Sequence, residues 1–131
     1  AIGMSAAKKP IQIPNAPAPV GPYSQAILMD RQLYISGQIP LNPQTGQLEM
    51  ENIESATSRV LQNIDALLNE AGFTKDDVVK VSIFMKNLEE FQAMNTVYAA
   101  YFTGVAPARE TVQVSRLPLD VSIEISCIAY K

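Results

Sequence analysis

Between positions 53 and 71 the apolar residues recur three and four apart. Ile53, Ala56, Val60, Ile64, Leu67 and Ala71 therefore line one face of an α-helix within "ENIESATSRVLQNIDALLNEAG". Asn52 is placed to cap its start, because a side-chain oxygen there accepts from an N–H that has no partner in the first turn. Gly72 suits the left-handed turn that ends many helices. The period then changes. "VVKVSIFMK", 78–86, alternates and is rich in β-branched residues, which predicts a strand. Asn87 opens a second helix, and Glu90 three residues later completes a capping-box pattern. Leu88, Phe91, Met94, Tyr98 and Phe102 form its apolar face, and Gly104 and Pro107 close it.

The first third of the chain is punctuated by proline and glycine. "KKPIQIPNAPAPVGPYSQ" predicts a short strand around Ile11 to Ile13 and then an extended loop, since proline fixes φ and removes a donor. Ser24–Met29 and Gln32–Ser36 are apolar runs split by Asp30-Arg31, which predicts a tight antiparallel hairpin. "LNPQTGQL" is turn chemistry. Two strands follow the second helix, at about 110–116 and 121–130, joined by "LPLD". The predicted order is β-β-β-α-β-α-β-β in a single domain spanning 1–131, with 1–9 flexible or partly a cloning remnant ahead of Met4.

Two helices can cover one face of such a sheet, so the other face meets water or another subunit. Side chains alternate along a strand. Val112 and Val114, like Val121, Ile123, Ile125 and Cys127, are expected under the helices. Arg109, Thr111 and Glu124 are then expected together on the helix-free face.

Composition narrows the chemistry. The chain has 131 residues, 47% of them hydrophobic and 18% charged, which suits a folded domain with a real core. A net charge of -3, with no Lys/Arg run, makes a nucleic-acid surface an unfavoured reading. No histidine and one cysteine exclude the usual zinc ligand sets, a histidine-based triad and an internal disulfide. Cys127 reads as a small buried hydrophobe. No apolar run approaches the ~20 residues of a membrane span, and the start lacks the apolar core of a secretory signal. A cytoplasmic protein with no membrane partner is expected.

Each candidate residue has a structural and a functional reading. Arg109 is a surface arginine or a clamp whose parallel N–H donors match a carboxylate. Glu124 is an exposed strand carboxylate or a group that orients and deprotonates water. Asn95, between Phe91 and Tyr98 in helical spacing, is a satisfied amide or a cleft residue. Tyr23 packs or caps a pocket with its hydroxyl, and Gly37 permits a turn or a close approach to a ligand.

"GPYSQAI", "YISGQIPLNPQTGQL", "VVKVSIFMKNLEEFQAMNTVY" and "PARETVQVSRLPLDVSIEI" occur in this order, and together they resemble the Rid/YjgF family of reactive-intermediate deaminases, also called the endoribonuclease L-PSP family. The resemblance runs from about Ile11 to Lys131. It implies an α+β, chorismate-mutase-like fold: a six-stranded, mostly antiparallel sheet with two helices on one face. It further implies a homotrimer in which the bare faces form a central β-barrel, with ligand clefts between subunits.

The implied activity is that of a 2-iminobutanoate/2-iminopropanoate deaminase. Such an enzyme hydrolyses enamine/imine acids such as 2-aminoacrylate and 2-aminocrotonate to 2-keto acids and ammonia, without a cofactor or metal. By the same resemblance, Arg109 would bind the carboxylate and Glu124 would position the water. Tyr23, Gly37 and Asn95 would line the cleft. Thr111 stands where many members carry a cysteine, so thiol chemistry is absent at that position, and Glu110 adds an unusual charge next to Arg109. Two rival functions remain open: a regulator that binds small carboxylates without turnover, and a ribonuclease.

Overall fold

The computed structural model of the chain describes residues 7–14, 16, 19 and 21–131. Six strands form one mixed sheet: β1 (Lys9–Ile11), β2 (Ala26–Met29), β3 (Gln32–Gln38), β4 (Val78–Met85), β5 (Ala108–Gln113) and β6 (Ile123–Tyr130). Their spatial order is β1-β2-β3-β6-β4-β5. All pairs are antiparallel except β4 and β5, which run parallel. Parallel neighbours need a crossover, and helix α2 (Phe91–Tyr101) supplies it. Helix α1 (Ile53–Glu70) connects the β3 side of the sheet to β4.

Local chemistry accounts for the element ends. Asn52 accepts from the Ser55 N–H at 2.7 Å, and Gly72 takes φ +80 just past the end of α1. Asp30 takes φ 57 in the β2–β3 turn. Asn87 behaves differently from expectation. Its side chain accepts from Glu89 N–H at 2.9 Å and caps a 3-10 turn at Leu88–Glu90, so α2 begins only at Phe91. The capping box forms at Thr74 and Asp77 instead. Residues 1–6 of the segment expected to be flexible lie outside the described residues, whereas Lys9 already belongs to β1.

The core lies between the helices and one sheet face. Val60, Ile64, Leu67 and Leu68 of α1 and Met94 of α2 meet Leu33, Val81, Ile83, Met85, Ile123 and Ile125, all essentially inaccessible. Burying each such side chain stabilises the fold by about 1.5–3 kcal/mol. The opposite face carries Tyr34, Val112 and Tyr130, which are 42%, 41% and 48% exposed. No helix of the described residues is long and apolar enough to cross a membrane.

Candidate active site

The candidate residues form two clusters on opposite sides of the sheet. The first is built on β5 and α2. Register places Arg109 beside Val81 and Thr111 beside Ile83, and both of those β4 residues are buried beneath the helices. Neighbours in register point the same way, so Arg109 and Thr111 face α2. One terminal nitrogen of Arg109 donates to Asn95 Oδ1 at 2.8 Å. Its guanidinium carbon lies 4.6 Å from the centre of the Tyr98 ring and 5.5 Å from that of Phe91. Positions 91, 95 and 98 share one face of α2, so a single helix surface grips the guanidinium through one amide and two ring faces. Burial raises the pKa of the Tyr98 phenol, and the charge of Arg109 acts against that rise. The buried hydroxyls of Tyr98 and Thr111 have no hydrogen-bond partner among the described residues.

The second cluster is built on β3, β6 and the loop before β2. Glu124 alternates with the fully buried Ile123 and Ile125, so it points away from the helices. Its register partner is Phe84. The pairing of β3 with β6 is irregular between Ile35 and Gln38, and Glu124 leans over the backbone of Gly37 at that irregularity. A methyl group built on Gly37 would come within 2.7 Å of Glu124 Cδ and 2.9 Å of Cγ, so only glycine leaves room for this carboxyl. Burial raises the pKa of Glu124 above the ordinary glutamate value. Gly37 and Tyr23 together line a cavity of about 410 Å³.

Arg109 and Glu124 are expected from alternation on the same helix-free face, and they lie on opposite faces. β5 is an edge strand paired in parallel with β4, and that register turns Arg109 toward α2. The same register puts Val112 beside Phe84 on the bare face, not under the helices. An apolar residue in an edge strand can answer to either face, so its alternation alone does not fix the phase. Glu110 also points away from Arg109. It pairs with Lys80 at 3.1 Å and accepts from the Ser82 hydroxyl, and these partners hold its carboxyl below the usual range.

Of the predicted residues, the fold brings Arg109, Asn95 and Thr111 to one cluster, and Glu124, Gly37 and Tyr23 to the other. Three participants are not evident from the sequence. Tyr98 and Phe91 were assigned only to packing, yet their rings also hold Arg109. Asn63 is buried on α1; it donates to Ile39 O at 3.2 Å and Leu41 O at 2.9 Å, fixing the loop beside Gly37. The signal for Asn63 was an amide within the apolar stripe, between Val60 and Leu67. Cys127 is buried as expected, and burial pushes its thiol up to about 12, which leaves it unreactive.

Residues 13–131, which contain both clusters, match the family model described as endoribonuclease L-PSP. A solved structure of a Rid family protein, YyfA from Yersinia pestis, superposes with a TM-score of 0.91 at 51% identity, covering 95% of this chain and all 100% of that one. This chain belongs to the Rid family. A RutC family protein of Pyrococcus horikoshii is 51% identical over 124 residues, 95% of this chain and 98% of its own. The chloroplastic Reactive Intermediate Deaminase A of Arabidopsis thaliana is 42% identical over 125 residues, 95% of this chain and 67% of its own length. The Rid match thus takes in each residue of the two clusters and the α+β architecture that separates them.

Proposed function

We propose that this protein hydrolyses reactive 2-imino acids, the tautomers of 2-aminoacrylate and 2-aminocrotonate, to 2-keto acids and ammonia. The observation that carries this reading is the complementarity of the two clusters. One offers a charged guanidinium held in plane by Asn95 and Tyr98. The other offers a carboxyl whose proton affinity is raised by burial. A 2-imino acid needs both: a donor fork for its carboxylate and a base for the water that attacks C2.

One copy cannot apply both groups to one small molecule, because they point to opposite sides of a sheet. Two copies can. The bare face exposes Tyr34, Val112 and Tyr130, an apolar surface suited to association. In a homotrimer closed through these faces, β5 and α2 of one subunit border β3 and β6 of the next, around a central barrel. Each cleft then holds Arg109, Asn95 and Thr111 from one subunit, and Glu124, Gly37 and Tyr23 from its neighbour.

The reaction in that cleft is short. Arg109 binds the carboxylate and fixes C2. Glu124 takes a proton from water as the water oxygen bonds to C2, and hands it to the imine nitrogen to give the carbinolamine. Glu124 then takes the hydroxyl proton and returns it to the amino nitrogen as the carbon–nitrogen bond breaks, giving the 2-keto acid and ammonia. The imine carbon is already electrophilic, so positioning and a fixed charge environment are the main contributions. The reading is supported further by the deaminase name of the Arabidopsis thaliana relative.

The test is a coupled assay. A pyridoxal-phosphate-dependent dehydratase generates 2-aminoacrylate from serine, and ammonia release is followed with and without this protein. Acceleration that saturates with the protein supports the reading. A rate unchanged at stoichiometric protein rejects it, and leaves carboxylate binding without turnover.

A further inference from the structure

Gly37, over which Glu124 leans, also lines a cavity larger than the shortest of these substrates can use. This cavity measures about 410 Å³ and is bounded by Tyr23, Ile39, Leu41, Pro43, Pro118 and Leu119. Sites for whole small ligands begin at about 300 Å³. 2-Aminoacrylate would place a single methylene carbon there.

The walls of this cavity are held in place. On one side, Asn63 binds the carbonyls of Ile39 and Leu41, and Arg59 donates to Asn63 Oδ1 at 2.8 Å. On the other side, Leu119 and Asp120 take φ 55 and φ 57, a left-handed region that residues with a Cβ seldom occupy. Hydrogen bonds from Asp120 N to Leu117 O and from Val121 N to Pro118 O close this turn, and Lys86 pairs with the Asp120 carboxylate. Strain of this kind gathers at sites that handle ligands. It presents Leu119, 69% exposed, at the rim of the cavity.

The lining chemistry selects the occupant. Gln25 accepts from Ile13 N, Gln38 donates to Ser36 O and Asn63 donates to the loop carbonyls, so these three amides are engaged with the protein, and Tyr23 adds a ring and a hydroxyl to a lining that is otherwise mainly apolar. An apolar group entering here displaces water from apolar walls without breaking those bonds.

We propose that this cavity receives the aliphatic side chain of a 2-imino acid whose C2 faces Glu124, and that Leu119 sets a preference for side chains of several carbons. The proposal rests on the deaminase reading and adds the class of substrate that this chain favours.

An amino-acid oxidase generates 2-iminopropanoate from alanine and 4-methyl-2-iminopentanoate from leucine, and kcat/KM is measured for each. The leucine-derived imine should be preferred about tenfold or more, because each methylene in an apolar pocket discriminates on that scale. Leu119→Gly should reduce the ratio to within about threefold. Glycine suits the left-handed φ, so this variant keeps the turn. A wild-type ratio near one, or a ratio unchanged by Leu119→Gly, overturns the proposal. If neither imine is turned over, the deaminase reading fails, and calorimetry with pyruvate and 4-methyl-2-oxopentanoate decides the pocket alone. Tighter binding of the branched acid, weakened in Leu119→Gly, supports it. Equal binding, or none, overturns it.

Discussion

Arg109 and Glu124 stand two strands apart on opposite faces of one sheet: Arg109 turns toward α2, and Glu124 leans over Gly37 on the bare side. A shared site therefore requires two copies of the chain. Arg109→Ala and Glu124→Gln should each be nearly inactive alone, yet regain activity when co-expressed. Random assembly in equal amounts would leave about one quarter of the clefts with both wild-type groups. Light scattering gives the trimer mass and the coupled assay gives the activity. A trimer without recovery would show that the two residues do not meet across an interface.

Arg109 should tolerate little change. Lysine keeps the charge but lacks the planar fork that Asn95 and the Tyr98 ring hold in place, so Arg109→Lys should lose deaminase efficiency. Arg109→Ala should lose more, on the order of a hundredfold. Circular dichroism should remain that of the wild type, because the side chain is only partly buried.

Gly37→Ala tests the contact with Glu124. The added methyl needs the space occupied by the carboxyl, so Glu124 must swing aside. Efficiency should fall about tenfold or more, as expected when a water-orienting group is misplaced. Thermal unfolding should shift far less than in a core truncation, which distinguishes misplacement from misfolding.

The raised pKa of Glu124 has consequences of opposite sign for activity and stability. The ionised carboxylate is the base, so kcat/KM should rise with pH through a value above the ordinary glutamate pKa of about 4.3. Folding favours the protonated form. That contribution to stability is complete below the ordinary value and is lost as pH rises through the raised one. Denaturant titrations across this range should show the loss in the wild type and a flatter profile in Glu124→Gln.

Thr111 should not act as a nucleophile. Its buried hydroxyl lies in the Arg109 cluster without a hydrogen-bond partner among the described residues. Thr111→Val should keep most of the imine hydrolysis and should not lower the melting temperature, since an unpaired buried hydroxyl contributes no stability. Complete loss of turnover in a folded Thr111→Val protein would assign the hydroxyl a role in the reaction.

Much of the architecture was written locally. The three- and four-residue spacing of Ile53 to Leu67, the Asn52 cap and the Gly72 stop define α1 through interactions within a few residues of one another. The alternation of Val81, Ile83 and Met85 sets the phase of β4 because its apolar residues all bury on one side. The quoted motifs carried the family resemblance, and with it the residues of both clusters.

The phase of β5 was not legible in this way. Its hydrophobic residues answer to a bare face, and only parallel pairing with β4, across the α2 crossover, turns Arg109 inward and Val112 outward. The grip of Tyr98 and Phe91 on Arg109, the lean of Glu124 over Gly37 and the reach of Asn63 to the 39–41 loop join residues far apart in the chain. Such contacts depend on which strands become neighbours and in what register. Spacing along the chain reports the faces of single elements; the packing of those elements decides which faces meet.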